Sequence, residues 1–225
     1  MKMFSVRSAA LRSCAATIAL LLSLSFQAKA ITLNFQSLDG TVISFTSNST
    51  FGFTSTNGYQ FSISSVAGGI GDSVGLDGYL APGGPFAIGP ITTNGGLQSA
   101  PVTGTSTLHI TDNATLDLTG TINWIDIGTV SVLGIINLNG QVNLTAITYT
   151  GTNSDLTALA AAGSATDVVT FQFVPAKDLT QLSTTGGQTS YSGSITAVPE
   201  PGAWMLVAMG TGLGVFLRGR RQVRR

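Results

Sequence analysis

Ile31-Thr32-Leu33-Asn34-Phe35-Gln36 sets the fold class: apolar and polar residues alternate strictly along it. A β-strand turns successive side chains to opposite faces, so period two puts Ile31, Leu33 and Phe35 on one face. The pattern recurs at Ile43 and Phe45, at Phe51 and Phe53, and at Tyr59, Phe61 and Ile63. It continues at Leu108 and Ile110, Leu116 and Leu118, Ile122 and Trp124, Val142 and Leu144, and Val169, Phe171 and Phe173. Thr, Ser and Asn fill the positions between, as half-buried antiparallel strands require. Asp39-Gly40, Asn57-Gly58, Asn139-Gly140 and Gly186-Gly187 supply turn chemistry. The expected body is all-β, an antiparallel β-sandwich, jelly-roll-like fold or flattened barrel.

Two stretches depart from alternation. Ser154-Asp155-Leu156-Thr157-Ala158-Leu159-Ala160-Ala161-Ala162 predicts one short helix, capped by Ser154 and ended by Gly163. Gly68 to Pro101 is rich in Gly and Pro and reads as a long loop or a set of irregular edge strands. Leu116 to Asn123 resembles Ile136 to Asn143, and two copies read as neighbouring strands with similar chemistry rather than as a solenoid.

The formal net charge of zero conceals a segregation. Lys2, Arg7, Arg12 and Lys29 open the chain, and Arg218, Arg220, Arg221, Arg224 and Arg225 close it. Between Ile31 and Pro201 a single base, Lys177, faces all ten acids. Such a body cannot neutralise a row of phosphates, which excludes nucleic acid as a partner. The one cysteine is Cys14, so the body has no disulfide and no thiolate metal site. About 170 residues bury roughly 70% of their surface without such staples.

Residues 1–30 have the three parts of a secretory signal peptide: a basic start, an apolar run from Cys14 to Phe26, and Ala28-Lys29-Ala30 as the small-x-small cleavage site. The expected organisation is a signal peptide at 1–30, an exported β domain at 31–197 and a C-terminal segment at 198–225.

Several constellations in the body have catalytic or binding chemistry as one reading and a structural role as the other. Gly71-Asp72-Ser73-Val74-Gly75 matches G-x-S-x-G, with Asp77 and His109 in triad order. A nucleophile elbow needs a strand before it and a helix after it. Neither flanks this motif, so a Gly-rich turn is the expectation and no catalytic residue is assigned. His109 reads as a surface histidine on the polar face of a strand. Asp72, Asp77, Asp112 and Asp117 are candidate oxygen ligands for calcium, without EF-hand spacing, and read first as solvated turn carboxylates. Trp124, Tyr59 and Tyr79 are candidates for stacking on sugar rings, or core and rim residues. Asn48-Ser49-Thr50, Asn113-Ala114-Thr115 and Asn143-Leu144-Thr145 match the glycosylation sequon in a body where such matches arise by chance. No cofactor is expected.

The C-terminal segment has three parts in order: Val198-Pro199-Glu200-Pro201, an apolar run from Ala203 to Leu217, and the terminal arginines. The arginines place the end in the cytoplasm and the body across the membrane. The run is short for a permanent span, which usually needs about 20 residues. A breaker, a short span and a basic end together resemble the PEP-CTERM sorting signal. The resemblance covers only this segment. It implies recognition by an exosortase, a membrane-embedded transpeptidase-like enzyme, with Val198, Pro199, Glu200 and Pro201 as the residues read. It also implies a setting among bacteria that make extracellular polysaccharide. The expected protein is a non-enzymatic surface or extracellular-matrix protein, held first by its C-terminal membrane helix and linked to exopolysaccharide or biofilm. The alternative is a glycan-binding or adhesin module assisted by calcium.

Overall fold

The longer strands form where apolar and polar residues alternate, and most of their inward positions are apolar. In the computed structural model the described residues are 30–112, 116–130 and 139–197, all within one unit, Ala30–Val198. The signal-peptide helix and the C-terminal membrane helix expected from sequence lie outside the described residues. So do Ala28, Val198 to Pro201, and the terminal arginines.

Eight strands close into an antiparallel barrel. They are β1 (Thr32–Ser37), β4 (Phe61–Ala67), β5 (Asp77–Ala81), β9 (Thr105–Thr111), β10 (Asp117–Val130), β11 (Asn139–Thr148), β12 (Ser164–Phe171) and β14 (Tyr191–Ala197). Round the barrel the order is β10-β11-β12-β14-β1-β4-β5-β9, and β9 pairs with β10 to complete the circuit. Closure leaves these strands no open edge. The expected all-β antiparallel body is observed, and among the alternatives the eight strands form a closed barrel, not an open sandwich.

A second sheet branches from the same long strand. It comprises β2 (Ile43–Thr46), β3 (Thr50–Phe53), β6 (Phe86–Ile88), β8 (Leu97–Thr103) and β13 (Gly187–Thr189), in the order β8-β6-β3-β2-β13. The short β7 (Thr92–Asn94) pairs with β8. Only Gly104, at φ +133°, separates β8 from β9. Asp117 to Asn123 of β10 pair with β9, and Asp126 to Val130 pair with β8. The two sheets therefore share one continuous hairpin arm that bends at a glycine.

The core is continuous across both sheets. Leu33, Ile63, Leu108, Ile110, Leu118, Ile122, Val142, Leu144 and Ile195 fill the barrel, each at most 1% exposed. Phe45, Phe51, Phe86, Trp124, Phe171 and Phe173 join the barrel to the second sheet, with Phe51 edge-on to Trp124 at 4.9 Å and Phe45 tilted on Phe171 at 5.4 Å. Such pairs add about 0.5–1.5 kcal/mol each beyond burial. Gly193 on β14 has a specific reason to be glycine. A Cβ there meets Phe35 Cζ at 2.3 Å and the Val168 carbonyl oxygen at 2.4 Å. Backbone cannot yield as a side-chain tip can, so Gly193→Ala is expected to cost about 2–3 kcal/mol by overpacking, read as a lower urea midpoint.

Four local expectations are corrected. There are two helices: α1 (Ser154–Ala162), at the expected bounds, and α2 (Leu179–Thr185). The Thr-rich α2 has little helical propensity of its own, and its capping box holds it: Asp178 accepts from Gln181 N, and the Gln181 side chain accepts from Asp178 N. Leu179 N and Thr180 N also donate to Thr129 Oγ1 and Gln98 Oε1 from the strands beneath. The cap of α1 is Asn153, which accepts from Leu156 N, and Ser154 is the first helical residue; Gly163 ends the helix in the left-handed region. Gly68 to Pro101 contributes β5 to the barrel wall, because Tyr79 and Leu80 find partners in β9 that local sequence does not show. Asn139-Gly140 opens β11, with Gly140 under the Trp124 ring, and Gly186 ends α2 while Gly187 begins β13. Asp39-Gly40 and Asn57-Gly58 are turns as expected.

Candidate functional site

One end of the barrel gathers most of the residues singled out by sequence. It carries the start of β1, the end of β4, the start of β5, the end of β9, the start of β10, the end of β11, α1, the start of β12 and the end of β14. Asp72 lies in the loop between β4 and β5, Asp77 opens β5, Asp112 follows β9 and Asp117 opens β10.

The Gly71–Gly75 motif is a turn locked onto the start of α1. The Asp155 carboxylate is 1% exposed. It accepts from Ile70 N at 2.8 Å, Gly71 N at 2.9 Å and Ser73 N at 3.3 Å. In return Asp72 accepts from Ser154 N at 2.7 Å and Asp155 N at 3.1 Å. Each carboxylate thus satisfies the backbone donors of the other's segment. Anions at a helix N-terminus are also favoured by the helix dipole. Burial alone opposes ionisation of Asp72, but the bonds from Ser154 and Asp155 outweigh it and lower its pKa.

Ser73 is fully buried, and its hydroxyl donates to Asn153 Oδ1 at 2.9 Å. Asn153 Nδ2 donates to the Asp72 carbonyl at 3.0 Å. No strand leads into the motif and no helix leaves it, so the elbow's geometry is absent. Ser73→Ala is expected to cost about 1 kcal/mol, the usual net worth of a buried hydrogen bond, measured by urea denaturation.

His109 has partners elsewhere. Its Nδ1 lies 3.2 Å from Asp117 Oδ2, and its ring stacks on Tyr79 at 4.5 Å and 4°. Tyr59 meets Tyr79 edge-on at 6.1 Å. This stripe runs over the outer face of β5, β9 and β10. Desolvation first, and then the Asp117 charge, raise the Tyr79 pKa. One face of Tyr79 is occupied by His109 and its side is met by Tyr59. The pair is therefore a ladder of rings packed on one another more than an open platform for a sugar. Trp124 is 8% exposed in the core and offers no platform.

The calcium candidates do not converge. Asp72 is used by α1, Asp112 by the Tyr149 hydroxyl, and Asp117 by His109. Tyr149 Oη in turn accepts from Asn153 N at 3.0 Å, which ties Asp112 to the same helix start. Among the described residues no three His, Cys, Asp or Glu side chains form a metal-holding group.

Two concavities among the described residues bear on ligand binding. A cavity of about 20 Å³ inside the barrel is lined by Gln60, Phe61, Leu80, Asp167, Val169 and Tyr191 among others. That is room for a water and not for a sugar ring. Asp167 is buried there, with Oδ1 lacking any hydrogen-bond partner, and desolvation raises its pKa to about 7. A shallow trough of about 380 Å³ on the outer face of β2 and β3 is lined by Ser44, Thr46, Thr50, Gly52 and Pro85 with no charged side chain. Sequence reasoning missed Asn153, Asp155, Tyr149 and Asp167. Only Asp167 carries a local signal, since it holds an inward phase between Ala165 and Val169.

Comparison with protein-family models, with curated proteins and with solved structures gives no match.

Proposed function

We propose that this chain is an exported, non-enzymatic surface or matrix protein whose C-terminal segment is read by an exosortase. The observation that carries this is the sequence of that segment: Val198-Pro199-Glu200-Pro201, the apolar run 203–217 and the terminal arginines, behind a signal peptide. The body is compatible with display. Its G-x-S-x-G serine is consumed by a structural bond, and its aspartates hold a helix, a tyrosine and a histidine. The start of β1 and the end of β14 lie side by side, with Ala197 N donating to the Ile31 carbonyl at 2.9 Å. A domain joined at one end in this way presents the rest of its surface outward.

Mass spectrometry of the mature C-terminus, in cells with and without an exosortase, tests the proposal. The expected result is loss of the arginine tail only where the enzyme is present. An intact Arg225 in both would overturn sorting.

A further inference from the structure

We infer that the α1 end of the barrel is a lipid-docking surface, in which Ile70, Val74 and Leu116 enter the interface of a zwitterionic bilayer. The inference rests on the reading of 203–217 as a membrane segment. Six large apolar side chains are exposed among the described residues, and three of them are at this end: Ile70 at 77%, Val74 at 50% and Leu116 at 41%. A body so rich in Thr and Ser has polar residues available for such positions. Ile70 and Val74 are not exposed by looseness of their loop. Ile70 N is bound to Asp155, Val74 N to the Gly71 carbonyl, and Gly75 N to the Ile63 carbonyl of β4. The loop is clamped from below while its apolar side chains face out.

Topology identifies the partner. Strand β14 ends at this same end, and 28 residues follow Ala197, including the apolar run. Any bilayer that holds 203–217 therefore lies within a short tether of Ile70 and Val74. A tether raises the effective concentration of a surface, so a few exposed apolar side chains suffice where free protein would not bind. Charge selects the lipid. Asp72, Asp77, Asp112 and Asp117 lie at this end, whereas the body's lysine, Lys177, lies next to α2 at the other. Anionic headgroups would repel these carboxylates, and neutral zwitterionic headgroups would not.

The test uses the mature chain, residues 31–225, which contains no cysteine, reconstituted in phosphatidylcholine vesicles. Single cysteines at Ile70, Val74 and Val174 carry an environment-sensitive fluorophore. Val174 is the control: it is 90% exposed but follows β12 at the opposite end. The expected result is flotation with the vesicles, blue-shifted and brighter emission from positions 70 and 74, and aqueous emission from 174. Partial replacement by phosphatidylglycerol at low salt should weaken the signal, and added salt should restore it. Flotation with positions 70 and 74 as aqueous as 174 would overturn docking and leave the membrane segment standing. Failure to float would overturn both.

Discussion

Asp167→Asn should make this protein more stable at pH 8 by about 4 kcal/mol and leave it nearly unchanged at pH 4. Asp167 points into the barrel from β12 among Phe35, Phe61, Val169 and Ile195, and its Oδ1 has no partner. Desolvation raises its pKa from 3.8 to about 7 in the folded protein. The folded state therefore keeps a proton that the unfolded chain releases. At acid pH both states are protonated and ionisation costs nothing. As pH rises from about 4 to about 7 the unfolded chain ionises first, and stability falls. Above that window both states are charged and the penalty is constant. The nearest titratable neighbour, Tyr191, is also raised by burial, so it stays neutral throughout. Urea denaturation at pH 4, 6 and 8 measures this. A wild-type curve level across the window, or an Asn variant that tracks wild type, contradicts it. Asp72 works in the opposite direction: its depressed folded pKa gives stability above the unfolded value, lost as pH falls through the folded one. Its effect belongs below pH 4 and does not mask that of Asp167.

The second large effect is expected at Asp155. Asp155→Ala leaves Ile70 N, Gly71 N and Ser73 N without their acceptor, the last of them buried. Charged acceptors contribute about 1.5–3 kcal/mol per bond, and such losses are not additive within one group, so about 4 kcal/mol is expected. Asp155→Asn keeps one accepting oxygen and should lose about half as much. Amide hydrogen exchange locates the damage: Ile70, Gly71 and Ser73 should lose protection in the Ala variant while β12 keeps it. A loss below about 1 kcal/mol would mean that the loop finds water as good an acceptor.

Much of the barrel was legible because alternation is a local signal. Leu33, Ile63, Leu108, Ile122 and Val142 are all buried as the period requires. Closure was not legible, since it depends on β9 and β11 meeting the two edges of β10, and pairing partners leave no trace in one strand's own pattern. Leu116 follows the period and is nevertheless exposed, because it precedes β10 at the tip of the hairpin. For β5 the turn-rich flanks obscured a strand of five residues. The clasp between Asp72 and Asp155 joins residues more than eighty apart, which no spacing rule reaches. Asp167 is the instructive case. Its place in Ala165-x-Asp167-x-Val169-x-Phe171 puts it inside on period two alone, against the expectation that a carboxylate faces water.

The position of β14 has a mechanical consequence. The strand lies between β1 and β12, paired from Gln36–Ser192 to Thr32–Thr196 on one side and from Phe171–Tyr191 to Ala165–Ala197 on the other. Suppose the body is gripped at its α2 end and tugged by the segment that follows Ala197. The load then runs along β14, and both ladders resist it in shear, many bonds at once, instead of unzipping one pair at a time. A domain wired in this manner bears tension through its last strand.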